Sequence, residues 1–306
     1  MKALFISLLI LANGICHSFA QVEKINFRNW ENCYRLKNER CEVIINASAG
    51  GKVIWFALNG KNMIYENLQQ DGKLLADWQQ KPFDPDGGRF DFGPEKVTQP
   101  LHALTWMGPW KAEIVNHNTI RLTSEPDKSL GLQTTREFSL HPDSSMLTIK
   151  LSATNISEKK LMRHFWSRTL VKPGGELFLP LNYKTTVDKG WRRFLWNPDR
   201  MDSIPQPDER IKIESGTLMF RAVGATIKAG TYAMDGWMDY QIDGMIFKKT
   251  FPTYPSGDYS GSEHLTTIFY SNGKFIELEP CSPTYSINPG QTIWFTEKWE
   301  LKEDLP

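Results

Sequence analysis

The chain has 306 residues, of which 36 are Lys or Arg and 35 are Asp or Glu, so its formal net charge is +1. This balance, without a block of like charges, argues against nucleic acid or an anionic membrane as the main partner, because both require a clustered basic face. The hydrophobic fraction of 40% and the aromatic fraction of 12% exclude a disordered chain. We therefore expect a globular protein with a substantial core.

The N-terminus has the pattern of a secretory signal peptide. Lys2 precedes an apolar run over residues 3–12, and Ser18-Phe19-Ala20 gives a small-x-small cleavage site. The run is too short to span a membrane, and no later stretch approaches the roughly 18 apolar residues that a span needs. We expect a signal peptide at 1–20 and a periplasmic or secreted mature protein. A lipid anchor at Cys16 is not expected, because a lipoprotein signal has a small residue directly before its Cys and here that residue is Ile15.

The predicted mature chain keeps three cysteines, Cys33, Cys41 and Cys281. Cys33 and Cys41 flank a plausible turn between two strands, so the sequence leaves open a disulfide between them or two free thiols. Cys281 is expected to be free or buried. The sequence has no C-x-x-C and no H-E-x-x-H motif, so no transition-metal site is predicted, whereas calcium held by backbone and carboxylate oxygens is left open.

Period-two alternation marks the readable segments of the chain. Residues 147–154 place Leu, Ile, Leu and Ala on one face and Thr, Lys, Ser and Thr on the other, which is the pattern of a half-buried strand. Residues 41–45 and 53–57 repeat it, and turns such as Asn59-Gly60 and Pro289-Gly290 separate such segments. The pattern predicts an all-β protein.

Residues 157–170 read as a capped helix or as a strand, and we favour the strand because HFWSRTL is rich in strand-forming residues. No Pro/Ser-rich linker or short repeat divides the chain. We expect one large antiparallel β domain over 21–306, built of about twenty strands.

Polar residues that could carry chemistry concentrate in three segments. In the first, residues 86–110, a Gly pair is followed by Arg89, a binder of anions and hydroxyls, and later by His102. A structural turn with an exposed Arg is the simpler explanation. In the second, residues 155–180, His164 stands beside Trp166, where a His can act as a general acid against a sugar platform. A cation and aromatic cluster on a strand explains it equally well.

The third segment, residues 273–290, contains two carboxylates at strand spacing. Glu277 and Glu279 share one face of a strand, and Leu278 points into the core. Their mutual repulsion raises the pKa of one of them and suits it to proton transfer. A pair of solvated surface carboxylates is the alternative.

In this order, the three segments resemble the galactose mutarotase-like, or aldose 1-epimerase, superfamily. A Gly-Gly segment precedes His102, which Trp110 follows, and the strand LTIKLSATN leads to a second His, His164. The segment LEPCSP places Glu279 at the position of the family's general base, and INPGQTIWFTEKWEL is similar to the family's end. The resemblance runs from about residue 30 to residue 302 and is closest to an uncharacterised bacterial branch. It implies a large antiparallel β-sandwich of the super-sandwich type.

The resemblance also implies an activity, the interconversion of sugar anomers without a cofactor. Glu279 would remove the proton of the anomeric hydroxyl while His164 gives one to the ring oxygen. Glu277 competes with Glu279 for the role of base. The implied partner is a sugar or glycan, and its binding site is expected to include Arg89 and His102 for hydroxyls, a stacking wall of Trp106, Trp110 or Trp166, and Glu277 and Lys228 at its border.

A carbohydrate-binding protein that uses the same groove without chemistry is the alternative. It is favoured by Ala103 after His102, where the family has Gly, and by the context His164-Phe165-Trp166, where the family has a His-Pro-Tyr-Phe-like sequence. A third class, a polysaccharide lyase or hydrolase, would need a longer groove. A glycosidase also needs two carboxylates that face each other across the bond, roughly 5–9.5 Å apart. The identity of the sugar and the oligomeric state are not readable from the sequence.

Overall fold

The computed structural model describes residues 20–94, 102–182, 190–197, 200–202 and 207–304, with side chains described for all but 195–197 and 200–202. Within these ranges the chain forms 23 strands, two short α-helices and two single-turn 3-10 helices, Leu68–Gln70 and Ser260–Ser262. The α-helices are α1 (Leu75–Gln80) and α2 (Ala103–Met107). The strands are β1 (Gln21–Phe27), β2 (Trp30–Lys37), β3 (Cys41–Asn46), β4 (Lys52–Leu58), β5 (Lys61–Asn62), β6 (Gly88–Gly93), β7 (Trp110–Asn116), β8 (Thr119–Ser124), β9 (Leu132–Leu140), β10 (Leu147–Asn155), β11 (Leu161–Val171), β12 (Glu176–Pro180), β13 (Trp191–Asn197), β14 (Arg200–Asp202), β15 (Ile211–Glu214), β16 (Thr217–Arg221), β17 (Ile227–Thr231), β18 (Trp237–Ile242), β19 (Met245–Thr250), β20 (Thr267–Ser271), β21 (Ile276–Pro280), β22 (Tyr285–Ile287) and β23 (Thr292–Glu303).

The strands form two antiparallel sheets. The larger sheet has 13 strands in the order β1-β2-β3-β4-β6-β11-β21-β20-β17-β13-β14, with β5 paired to β4 and β22 paired to β11. The smaller sheet has ten strands in the order β15-β16-β12-β18-β19-β23-β10-β9-β8-β7. The predicted all-β antiparallel sandwich is confirmed.

The core lies between the two sheets and follows the alternation seen in the sequence. On β10 the residues Leu147, Ile149, Leu151 and Ala153 are buried, as predicted, while the residues between them are partly or fully exposed. Aromatic rings then join the sheets, because Phe165 of β11 stacks on Phe295 of β23 with ring centroids 5.9 Å apart. Burial on one face of each sheet is what holds the sandwich together.

Residues 161–171 form the central strand β11 and not a helix, as we favoured from the sequence. The strand pairs with β6 on one side and with β21 and β22 on the other. Phe165 faces the core, so His164, Trp166 and Arg168 face the opposite side of the larger sheet. This alternation decides where the polar residues gather.

The three cysteines within the described residues are free, and the Cys33–Cys41 disulfide that the sequence left open does not form. The reason is the register of β2 with β3, which places Cys33 opposite Asn46. Cys33 therefore packs with Trp30 on the outer side of the larger sheet, whereas Cys41 lies in the core between the sheets. Burial raises the pKa of both thiols to about 12. Cys281 is also a buried free thiol.

None of the described helices is long and apolar enough to cross a membrane. In the same ranges no group of three or more His, Cys, Asp or Glu residues is arranged to hold a metal ion. The predicted signal peptide lies outside the described residues, apart from Ala20.

Candidate functional site

Three neighbouring strands carry charged side chains on the face of the larger sheet that is turned away from the core. We call this surface the polar face; its members on β6, β11 and β21 alternate with core residues such as Phe90, Phe165 and Leu278. The strands are adjacent in the order β6-β11-β21, which brings residues distant in sequence together. The residues so placed are Arg89, Asp91, His164, Trp166, Arg168, Glu277 and Glu279.

Cations and indole rings alternate across the polar face. The guanidinium carbons of Arg89 and Arg168 lie 4.7 and 5.0 Å from the ring centroid of Trp106, which α2 brings over the sheet. Arg168 also lies 4.5 Å from the ring of Trp166, and the Lys228 ammonium lies 5.0 Å from that ring. Cation–π attraction therefore holds Arg89, Trp106, Arg168, Trp166 and Lys228 in one row.

Each indole N–H in the row donates to a buried carboxylate. Trp106 Nε1 donates to Asp91 Oδ1 at 2.8 Å, and Trp166 Nε1 donates to Glu279 Oε2 at 2.7 Å. Asp91 also accepts a 2.7 Å bond from Arg168 Nε. Burial opposes ionisation of Asp91, but Arg168, Arg89 and Arg136 together outweigh it and keep the pKa of Asp91 below its usual range. Charge-assisted hydrogen bonds thus hold the row in place on the larger sheet.

Glu277 pairs with Arg89, whose Nη2 donates to Glu277 Oε1 at 2.8 Å. Arg89 Nη1 reaches in the other direction to Asp84 Oδ1 at 2.6 Å. Burial raises the pKa of Glu277 to about 8, and the charge of Glu279 adds to the shift while Arg89 opposes it. The sequence predicted a raised pKa from repulsion alone; the structure adds burial as the larger cause. The Glu277–Glu279 pair therefore holds a proton near neutral pH.

His164 lies against the backbone of Gly93, where a side chain would collide with the imidazole ring. The ring is only 2% exposed. Burial lowers the pKa of His164 to about 4, although the charge of Asp258 opposes the shift. His164 is therefore neutral at pH 7.

A small notch lies beside His164 at Gly261. His164 Nδ1 and Thr284 Oγ1 are both buried and have no hydrogen-bond partner. A Cβ placed on Gly261 would lie 2.8 Å from each of these atoms, so both point toward the same space. Two unsatisfied buried polar atoms that converge are suited to bind a water or a ligand hydroxyl.

Of the predicted site residues outside the three strands, Trp110 lies away from the polar face and His102 precedes the helix that carries Trp106. Trp110, which the sequence offered for a stacking wall, packs in the core with its ring centroid 4.1 Å from the Arg136 guanidinium carbon. The Arg136 guanidinium that stacks on Trp110 is itself fixed in the core, because it donates hydrogen bonds to the carbonyl oxygens of Gly50, Gly51 and Phe90. His102 precedes α2, with Nδ1 3.4 Å from Ser129 Oγ.

Sequence reasoning missed Asp91 and Arg168, which link most of the site. The alternation in GGRFDFG places Asp91 on the same face as Arg89, and the alternation in HFWSRTL places Arg168 with His164. Both patterns were available once these segments were assigned as strands. The Trp rings are also less free than expected, because cations already occupy positions over Trp106 and Trp166.

Comparison with solved structures identifies the architecture. An Escherichia coli K12 protein provisionally named an aldose 1-epimerase superposes with a TM-score of 0.63 and 13% identity over 89% of this chain and 99% of that chain. A galactose mutarotase-like protein from Lactobacillus casei gives a TM-score of 0.61 and 11% identity over 89% of this chain and 100% of its own. This chain has the galactose mutarotase-like fold. At such low identity the likeness shows the fold alone.

The mutarotase-like fold also occurs as part of a longer chain. A TPR-domain containing protein from Parabacteroides distasonis matches with a TM-score of 0.61 and 16% identity over 90% of this chain, but over only 47% of its own. No family model and no curated protein matches the sequence.

Proposed function

We propose that the polar face binds a free sugar and interconverts its α and β anomers, as an aldose 1-epimerase does. The observation that carries the proposal is the pair Glu277 and Glu279, two buried carboxyls side by side on β21 of which Glu277 has a pKa of about 8. Two carboxyls that share a proton supply an acid and a base at neutral pH, which anomer exchange requires.

Glu279 is the proposed base. Because Glu277 retains its proton near pH 7, Glu279 is the member of the pair that can accept one. It takes the proton from the anomeric hydroxyl, the C1–O1 bond becomes a carbonyl, and the bond between C1 and the ring oxygen breaks as that oxygen receives a proton. Rotation of the aldehyde and reclosure with the proton transfers reversed gives the other anomer.

Two groups compete to protonate the ring oxygen. The family resemblance implies His164, which can donate a full proton only as an imidazolium, and its pKa of about 4 keeps it neutral at pH 7. Glu277 keeps its proton up to about pH 8, and donating that proton leaves an ordinary carboxylate. A neutral His164 would instead have to become an imidazolate. The pKa values therefore favour Glu277 as the proton donor. The role that we propose for His164 is a hydrogen bond to the sugar.

The remaining residues of the proposed site bind and orient the ring. Arg89 and Lys228 present cationic N–H groups that suit sugar hydroxyls, and Trp106 and Trp166 border the same surface. His102 is retained as a proposed hydroxyl contact next to α2. Since Glu279 is fully buried, ligand entry requires movement of the side chains around it.

A carbohydrate-binding protein without catalysis is the second candidate. The neutral state of His164 favours it, and so does the engagement of Glu279 by the Trp166 indole, because both reduce the groups ready for proton transfer. Export remains part of either proposal. N-terminal sequencing of the protein purified from its native host would show cleavage after Ala20 if it is exported, and an intact N-terminus would contradict this.

The decisive experiment is proton NMR exchange between the anomeric signals of free hexoses and pentoses. Wild type should accelerate exchange, and Glu279→Gln should reduce the rate by roughly 10²–10⁴-fold because the base is lost. Glu158→Gln, at an exposed carboxylate, is the matched control and should keep full activity. Selective broadening of one sugar without exchange would support the binding protein. An unaltered rate in Glu279→Gln would refute the assignment of the base.

A further inference from the structure

Two oppositely charged side chains lie in the core between the sheets, behind the polar face. Lys249 of β19 and Glu297 of β23 belong to the smaller sheet and are both fully buried. Their Nζ and Oε2 atoms are 3.2 Å apart. Trp299 adds a 2.9 Å hydrogen bond from its Nε1 to the same Oε2, and its ring lies 4.9 Å from the Lys249 ammonium.

This ion pair reaches across the sandwich to the larger sheet. Lys249 Nζ donates to Thr169 Oγ1 at 2.9 Å and to the Leu278 carbonyl oxygen at 3.3 Å. Glu297 Oε1 accepts a short hydrogen bond from Ser167 Oγ. The pair therefore contacts two adjacent strands, β11 through Ser167 and Thr169 and β21 through Leu278.

Each of these partners lies next to a residue of the polar face. Ser167 and Thr169 stand on either side of Arg168, and Leu278 stands between Glu277 and Glu279. Because side chains alternate along a strand, a shift or rotation of the inward residues moves the outward ones with them. Backbone pairing already joins β11 to β21, and the ion pair ties both strands to the smaller sheet at the point where they carry the proposed chemistry.

Stability alone does not account for a charged pair in this place. Removing two ions from water is costly, and replacing a buried ion pair by apolar residues of similar volume is often neutral or stabilising. The core around the pair is otherwise apolar and aromatic, and Phe247 and Phe295 lie two residues before the charged positions, on the same faces of β19 and β23. A role in fixing geometry explains why charges are placed here.

We propose that Lys249 and Glu297 are positioning residues that hold β11 and β21 in place against the smaller sheet and so set the positions of Arg168 and the two carboxyls. The kinetic part of this inference rests on the proposed anomer exchange. The geometric part does not, because the Trp166 indole that donates to Glu279 reports the spacing of the same two strands.

The test is the double substitution Lys249→Met/Glu297→Leu in the full chain, which removes both charges and leaves no buried ion unpaired. We expect a folded protein with a moderately lower urea midpoint, because the Trp299 indole and the Ser167 hydroxyl lose their buried acceptor, and a clear change in the ¹H–¹⁵N signal of the Trp166 indole. The kcat of anomer exchange should fall by roughly 10- to 100-fold, with a smaller change in KM, because the reacting groups are misplaced. Ile149→Val, a core change on β10, is the control and should leave the indole signal in place.

An indole signal identical to wild type in the folded double variant would overturn the inference. Should the double variant fail to fold, the inference is overturned as a statement about positioning, since the pair is then required for folding itself.

The substitution Thr169→Val is a second test, because it removes one contact of the pair and keeps the shape of the side chain. It should move the same indole signal, and no change there would also contradict the inference. Absence of anomer exchange in wild type would refute the proposed function, while the indole signal would still decide the geometric question.

Discussion

Trp166 and Glu279 are joined by a 2.7 Å hydrogen bond from the indole Nε1 to the carboxylate Oε2, which connects β11 to β21 on the polar face. Both side chains are almost completely buried. The bond fixes the direction of the carboxylate that we propose as the base, and it places that carboxylate beside the row of cations and rings. The site is thus organised by contacts within the protein before any ligand arrives.

Replacing Trp166 by Phe removes the donor and leaves most of the ring. We expect a loss of about 2 kcal/mol in the free energy of unfolding, since a hydrogen bond to a charged group contributes roughly that much. Urea denaturation measures it. Trp294→Phe is the matched control, because Trp294 is 65% exposed on the smaller sheet, and its stability should stay near that of wild type. Equal losses in the two variants would contradict the role of the hydrogen bond.

The proton donor can be identified from the pH dependence of anomer exchange. If Glu277 donates, kcat should hold through neutral pH and fall above about pH 8, where Glu277 loses its proton. If His164 donates, activity should already decline above about pH 4, where the imidazolium is lost. Glu277→Gln should abolish the alkaline limb together with most of the rate. A limb near pH 8 that survives in Glu277→Gln would exclude Glu277.

His164 should make the protein sensitive to acid. Its pKa is lowered from 6.5 to about 4 in the folded state, so the unfolded chain binds the proton more readily between these values. Stability is therefore complete above pH 6.5 and is lost as the pH falls toward 4, by about 3 kcal/mol at 1.36 kcal/mol per pKa unit. Urea unfolding of His164→Gln between pH 4 and 7 should lack this contribution. His141→Gln, at an exposed position, should behave as wild type; a matching change there would contradict the assignment to His164.

The notch at Gly261 should be sensitive to a single methyl group. Gly261→Ala places a Cβ about where His164 Nδ1 and Thr284 Oγ1 converge. We expect weaker sugar binding, seen as a raised KM or reduced line broadening, together with a lower urea midpoint, because a Cβ 2.8 Å from two buried atoms forces one of them to move. Ser260→Ala changes the exposed neighbouring residue and serves as the control. Unchanged sugar binding in Gly261→Ala would show that the notch takes no part in the site.

Asp91 should be important for stability. It accepts hydrogen bonds from Trp106 and Arg168, so Asp91→Asn leaves the Arg168 guanidinium in the site without its main counter-charge. We expect a loss of about 3–5 kcal/mol, as for other buried pairs that lose one partner. Asp235→Asn, at an exposed carboxylate, is the control and should be neutral in the same urea titration. Equal stability of the two variants would contradict the account of the row.

Alternation within one strand was readable from the sequence. It predicted the buried face of residues 147–153 and the shared face of Glu277 and Glu279, because a strand has a period of two wherever it lies. The same rule would have found Asp91 and Arg168, had it been applied to the segments around Arg89 and His164. These are local inferences, and the structure agrees with them.

The sequence did not predict contacts between strands that are far apart along the chain. Trp110 was assigned to the site because it follows His102, but Arg136 on β9 packs against it in the core. The Cys33–Cys41 disulfide, which the sequence left open, does not form because the register of β2 with β3 puts the two thiols on opposite sides of the sheet. In both cases the outcome depends on strand pairing and register, which spacing along one segment does not determine.

The three buried thiols of the described residues simplify chemical labelling of that part of the chain. Thiolate is the reactive form of cysteine, and with pKa values of about 12 Cys33 and Cys41 have almost none of it at neutral pH. Burial likewise raises the pKa of Cys281 well above its usual value. A cysteine introduced at an exposed position such as Trp294 would therefore react selectively with a maleimide dye. Fluorophores could be attached at chosen points around the polar face without first removing the native cysteines.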